Sequence, residues 1–97
     1  MTQLDTTLLA EMFKILGDPS RLRILLVIMD APIHVGDIAE RTGLAPSLVS
    51  HHLRLLRAAR FVKAERHGRH MAYELHDHHI SSIIQDMANH LGEEDNI

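Results

Sequence analysis

The sequence predicts a mainly α-helical fold carrying one small β-hairpin. Three observations lead there. Apolar residues recur at helical spacing along most of the chain, Gly and Pro punctuate them at short intervals, and period-two alternation is confined to residues 61–75. Ninety-seven residues with 45% apolar content suit a single domain, 1–97, with one helical core and no second.

Leu8, Leu9, Met12, Phe13 and Leu16 repeat at helical spacing and stop at Gly17, a residue suited to the position past a helix end. Asp18-Pro19 supplies an N-cap followed by proline at the first helical position, opening a helix to about Met29. Ala31-Pro32 breaks it. A short helix from about Val35 ends at Gly43, and Pro46 opens another that reaches about Ala59. Phe61–Glu65 and Met71–Leu75 read as strands around Gly68; in the second, Met71, Tyr73 and Leu75 alternate with Ala72 and Glu74. A last helix begins near Asp77 or His78 and fades in Glu93-Glu94-Asp95. No linker, repeat or low-complexity segment interrupts this order. Ile24 to Met29 is a core segment, too short to span a bilayer, and the N-terminus lacks a basic-then-apolar signal pattern. A cytoplasmic location is expected.

Val35 to Leu56 places two short helices around a glycine turn, the arrangement of a helix-turn-helix. In the second helix Ser47, Ser50, His51 and Arg54 sit at i, i+3, i+4 and i+7 and form one polar stripe. Val49, Leu53 and Leu56 have the same spacing on another face and should pack inward. Small hydroxyls with an arginine suit base edges and phosphates in a major groove; a plain amphipathic surface helix is the bland alternative. The next hairpin tips the balance, because Arg66-His67-Gly68-Arg69-His70 makes a basic wing able to grip phosphate. Charge agrees. Residues 21–70 carry nine Lys and Arg against four acids, a net +5, whereas residues 71–97 carry six acids and no Lys or Arg.

Cysteine is absent, which removes disulfides and thiolate metal sites together. Histidine is abundant: there are nine, all but His34 at or after His51. Asp77-x-His79 and His90-x-x-Glu93 are nitrogen and oxygen donors spread along one predicted helix. Eleven residues separate His79 from His90 by ~16 Å, far beyond a zinc–nitrogen bond, yet they leave both on one side of the helix. A second copy packed antiparallel about a twofold axis would bring His79 beside its mate's His90, and symmetry would create two identical sites. The expected unit is therefore a homodimer with two metal sites across its interface, and the polar stripe and basic wing suit double-stranded DNA as its other partner. Ile80, Ile83, Ile84, Met87 and Leu91 form an adjacent apolar stripe, with the axis expected near Ile84 and Gln85. If Asp77 sits at the N-cap, its carboxylate can turn toward His79; His90 and Glu93 already share a face. Two imidazoles and two carboxylates fit zinc, with cobalt(II) a good mimic. Physiological nickel or cobalt would call on extra donors among His76, His78 and Asp86. The alternative is that the stripe is core packing alone and the donors are surface residues.

These residues, with Leu16 to Arg23, make the chain resemble the ArsR/SmtB family of winged helix-turn-helix repressors over nearly its whole length. Zinc-sensing members of that family carry the pattern Asp-x-His, ten residues, then His-x-x-Glu or His-x-x-His, which Asp77, His79, His90 and Glu93 match. The resemblance implies a homodimer through the N- and C-terminal helices. It also implies that the metal-free dimer binds operator DNA and that zinc lowers this affinity, releasing metal export or sequestration genes. In such a switch the metal-bound ring of His90 would hydrogen-bond a backbone carbonyl near Arg60. Two departures stand out. The cysteine-containing second site of some relatives has only His34 in its neighbourhood, and Ala45 replaces the Ser or Thr that would cap the reading helix, a loss of ~1 kcal/mol.

Enzymatic activity is not expected. Asp77-His78-His79 is similar to a motif of the DHH phosphoesterases, but their further carboxylate motifs are missing, and four protein ligands leave no open position for water. A nickel- or cobalt-responsive repressor, or a constitutive winged-helix DNA-binding protein, are the alternatives to a zinc sensor.

Overall fold

The computed structural model describes residues 4–29 and 31–95, which form five helices and a three-stranded sheet. Short-range devices fix the helix starts. Helix α1, Thr6–Leu16, is capped by Asp5, whose carboxylate accepts from the Leu8 amide at 3.1 Å. Helix α2, Pro19–Val27, is capped by Asp18, which accepts from the Arg21 amide at 3.0 Å. That bond is the chief reason the Asp18 carboxyl sits below its ordinary value. Helix α3 spans Val35–Thr42 and helix α4 Pro46–Ala58. Ala45 provides no side-chain cap for α4, as its methyl group dictates.

Glycine closes two of these turns in different ways. Gly43 ends α3 with φ 75°, a left-handed conformation in which a Cβ would be strained. Gly17 corrects the simplest expectation: it ends α1 with φ −76°, its amide shared between the carbonyls of Phe13 and Lys14, so its freedom is not used. Arg60, by contrast, takes φ 64° at the end of α4. The Arg60 amide donates to Arg57 O at 3.0 Å and the Phe61 amide to Leu56 O at 2.9 Å. Those two bonds form a Schellman closure with arginine where glycine is usual.

Strands β2, Val62–His67, and β3, His70–Leu75, make the expected hairpin around Gly68 at φ 63°. A third strand joins them. Strand β1, Ile33–His34, pairs antiparallel with β3, placing Ile33 opposite Tyr73 and giving the order β1-β3-β2. Two residues after a proline carry no readable alternation, so only the pairing reveals this strand. Helix α5, His78–Asp95, completes the chain.

The core is built where these elements meet. Ile24, Leu25 and Ile28 pack with Ile38 of α3, with Val49, Leu53 and Leu56 of α4, and with Phe61 and Val62. All three predicted inward residues of α4 are at most 1% exposed. Among the described residues, helix α5 joins this cluster only through Ile80 and Ile84. No helix among the described residues is long and apolar enough to cross a membrane.

Candidate metal centre and nucleic-acid interface

The polar stripe of α4 lies opposite its core residues. Ser47, His51 and Arg54 are exposed and Ser50 is half-buried, so one side of the helix offers hydroxyl, imidazole and guanidinium groups. Pinning from within keeps that side outward. His52 lies near Asp18 and Arg21 of the α2 N-terminus, and burial pushes its imidazole below the ordinary value of 6.5, with the Asp18 charge opposing. Arg66 and Arg69 stand exposed at the hairpin, one on each side of the Gly68 turn.

The predicted donors occupy α5 and its approach. Helix α5 begins at His78, so Asp77 sits just ahead of it, and its Oδ1 accepts from the His79 amide at 3.0 Å. The same Oδ1 lies 3.3 Å from His79 Nδ1. Two ligands at neighbouring corners of a tetrahedral zinc site, each ~2.0–2.1 Å from the ion, stand ~3.3 Å apart. The pair therefore already has the separation of one tetrahedral edge, and the donor chemistry fits a borderline divalent ion.

Asp77 Oδ2 is held from the other side by His76 Nδ1 at 3.2 Å. This contact, first among several, keeps the Asp77 carboxyl below the ordinary carboxylate value, with the amides of His79 and Ile80 and the His79 ring acting in the same direction. By spacing alone His76 is only a spare donor. Its amide also donates to Phe61 O at 2.9 Å, which ties the start of α5 to the end of α4. Nothing in the spacing announces this role; it follows from β3 delivering the chain beside Phe61.

His90 and Glu93 are exposed on the far part of the same uninterrupted helix. At 1.5 Å rise per residue His90 stays ~16 Å from His79, so the structure does not bring the two donor pairs together within one chain. Among the described residues no group of three or more His, Asp or Glu is converged on a common point.

Beside the donors lies an apolar groove of about 430 Å³ between α1, α2 and α5. Phe13, Leu26, Met87 and Leu91 line it and are each more than half exposed; Ile83 is 37% exposed. The α5 stripe is thus split, with Ile80 and Ile84 serving the chain's own core and Ile83, Met87 and Leu91 left to solvent.

Residues 18–64 match the bacterial regulatory protein family designated arsR. The HTH-type transcriptional regulator NmtR of Mycobacterium tuberculosis is 38% identical over 81 residues, covering 84% of this chain and 68% of NmtR. The chain belongs to the ArsR family. The SmtB homolog of Synechocystis, a transcriptional repressor, is 41% identical over 90% of this ArsR-family chain, which spans 66% of that relative's length. The solution structure of apo-NmtR superposes with a TM-score of 0.79 at 34% identity, over 96% of this chain and 81% of that one. A homodimeric winged helix-turn-helix DNA-binding domain from Mycobacterium bovis gives 0.84 over 97% and 93% at 22% identity, a likeness of fold. The architecture is winged helix-turn-helix, with α3 and α4 as the motif and β2–β3 as the wing. The ArsR family consists of transcriptional regulators, not enzymes.

Proposed function

We propose that this ArsR-family chain is a metal-responsive transcriptional repressor acting as a homodimer. The observation that carries the reading is the Asp77–His79 edge at the start of a helix whose apolar outer stripe, Ile83, Met87 and Leu91, has no cover among the described residues. A copy packed antiparallel on α5 covers Ile83, Met87 and Leu91, and it brings His90 and Glu93 of one chain to Asp77 and His79 of the other. Zinc held there would be a Lewis-acidic crosslink between two helices, completing four-coordination with two imidazoles and two carboxylates.

The chain's own residues supply the link to DNA. Helix α4 offers Ser47, Ser50, His51 and Arg54 to a major groove, while Arg66 and Arg69 of the wing meet backbone phosphate. From the last turn of α4 the Phe61 amide donates to Leu56 O, the His76 amide donates to Phe61 O, and His76 Nδ1 contacts Asp77. A shift of the α5 pair is therefore felt at the C-terminus of the reading helix through three polar contacts. The relatives named as repressors support repression; the direction, metal-free dimer on the operator and metal-bound dimer off it, is what the resemblance to the family implies.

The test uses operator duplexes selected from random sequence by the metal-free protein, with anisotropy read during zinc, cobalt and nickel titrations. Zinc is expected to weaken binding about 5–150-fold, the usual span of an allosteric coupling. Equal affinity with and without every metal overturns the proposal and leaves a constitutive DNA-binding protein. A response to nickel or cobalt alone moves the ion class and brings His76 or His78 into the ligand set.

A further inference from the structure

Three histidines that the repressor reading leaves idle share one face of the sheet. His34 pairs with Ala72, His70 lies two residues before Ala72 on β3, and His67 is the direct partner of His70 on β2. Strand parity puts all three imidazoles on the same side, with Glu65, the β2 partner of Ala72, between them. The rings are close. The His34 and His70 centroids lie 5.2 Å apart and those of His34 and His67 6.1 Å. Two imidazoles on neighbouring corners of a tetrahedral ion hold their ring centres ~5 Å apart, the metal–nitrogen bond plus the ring radius fixing that figure.

The surroundings suit a cation. Glu65 Oε2 stands 3.6 Å from His67 Nε2, the place of a carboxylate that orients a ligating ring and leaves Nδ1 free. Lys63, on the same face, is paired with Glu74 at 3.5 Å. Arg66 belongs by parity to the opposite face. His34 precedes α3 but makes no capping hydrogen bond, so its ring is not committed to the helix. Because the three nitrogens are not converged on a point, binding requires rotation of side chains on a fixed strand frame.

We propose that His34, His67 and His70 form a second metal site, at the tip of the wing, that takes a borderline divalent ion such as zinc, cobalt or nickel through three imidazoles. The ion joins β1 to the hairpin tip and adds positive charge to the wing. This site is independent of α5 and does not rest on the repressor reading.

The full chain carrying His79→Ala and His90→Ala is titrated with cobalt(II), read by calorimetry and by the ring nitrogen–proton resonances of the remaining histidines. About one ion is expected per chain, with paramagnetic broadening first at His34, His67 and His70. Adding His67→Ala, or separately His70→Ala, should weaken uptake at least about tenfold, with helical circular dichroism unchanged because both side chains are exposed. Absence of saturable uptake overturns the site. So does broadening centred on His51, His52, His76 or His78, or uptake indifferent to both variants.

Discussion

Helices α4 and α5 are both amphipathic, but they end differently. Helix α4 buries Val49, Leu53 and Leu56 almost completely inside its own chain and keeps only Leu48 and Leu55, at 39% and 40%, partly in solvent. Helix α5 buries Ile80 and Ile84 to 8% and leaves Met87 and Leu91 at 60%, continuous with Phe13 and Leu26 across the groove. The first helix is finished by folding. The second needs another surface, since an apolar patch rimmed by polar donors is a feature of interaction sites. In the proposed repressor α4 is complete before it meets DNA, whereas α5 would be completed by the second chain.

The largest test of that contrast pairs one residue from each helix. Leu53→Ala should cost about 2–5 kcal/mol in urea unfolding, with a midpoint that shifts regardless of protein concentration. Leu91→Glu should leave secondary structure intact and convert the dimer to a monomer in sedimentation, since the side chain already faces solvent in the single chain. Operator binding would fall with it, because two half-sites are no longer linked. A dimeric Leu91→Glu protein would show that α5 is not the association surface.

Next in size is the donor split. His90→Ala should abolish the zinc response while leaving metal-free operator affinity within about twofold, a loss of the whole coupling of about 1–3 kcal/mol. Mixing His79→Ala chains with His90→Ala chains sharpens this further. In the proposed antiparallel pair a mixed dimer keeps one intact site, formed by the His90 of one chain and the His79 of the other. Zinc affinity restored on mixing supports donors shared between chains; two inert parents whose mixture is equally inert contradict it.

Much of this was legible in the chain itself. Asp18-Pro19, Gly43, Pro46 and Gly68 each act within a few residues, so α2, α3, α4 and the hairpin could be bounded from local chemistry. The Asp77 cap turning its carboxylate on His79 could be read for the same reason. What escaped was non-local. Strand β1 exists only because Ile33 meets Tyr73, and Gly17 forgoes its freedom because the turn there stays right-handed. The separation of Ile84 from Ile83 depends on which side of α5 the rest of the chain reaches. The role of His76 is hidden in the sequence because its bond to Phe61 O joins residues fifteen apart that only the sheet brings together.

A smaller effect concerns how α4 is seated. Burial holds the His52 imidazole below its ordinary value of 6.5, so the unfolded chain binds a proton more readily than the native one just below that pH. Stability contributed by the neutral ring is complete above pH 6.5 and is lost as pH falls through the lower native value. His52→Gln should therefore flatten the slope of unfolding free energy against pH between about 5 and 7. Asp18, lowered by its cap bond, acts only further into acid, so a slope unchanged by His52→Gln would place the acid sensitivity elsewhere.

The smallest expected change lies on the link between the two helices. Arg60 holds φ 64°, which costs an L-residue about 1 kcal/mol that glycine would not bear. Arg60→Gly should thus raise stability by roughly 0.5–1 kcal/mol, and Arg60→Val should lower it, because a β-branched side chain tolerates that conformation least. The bonds that close α4 run from the Arg60 and Phe61 amides, and Phe61 O still receives His76, so none depends on the arginine side chain. The metal response of Arg60→Gly should match the wild type even though the protein is more stable. If the response is lost while the helix end is strengthened, the link between α4 and α5 runs through the guanidinium rather than through the backbone.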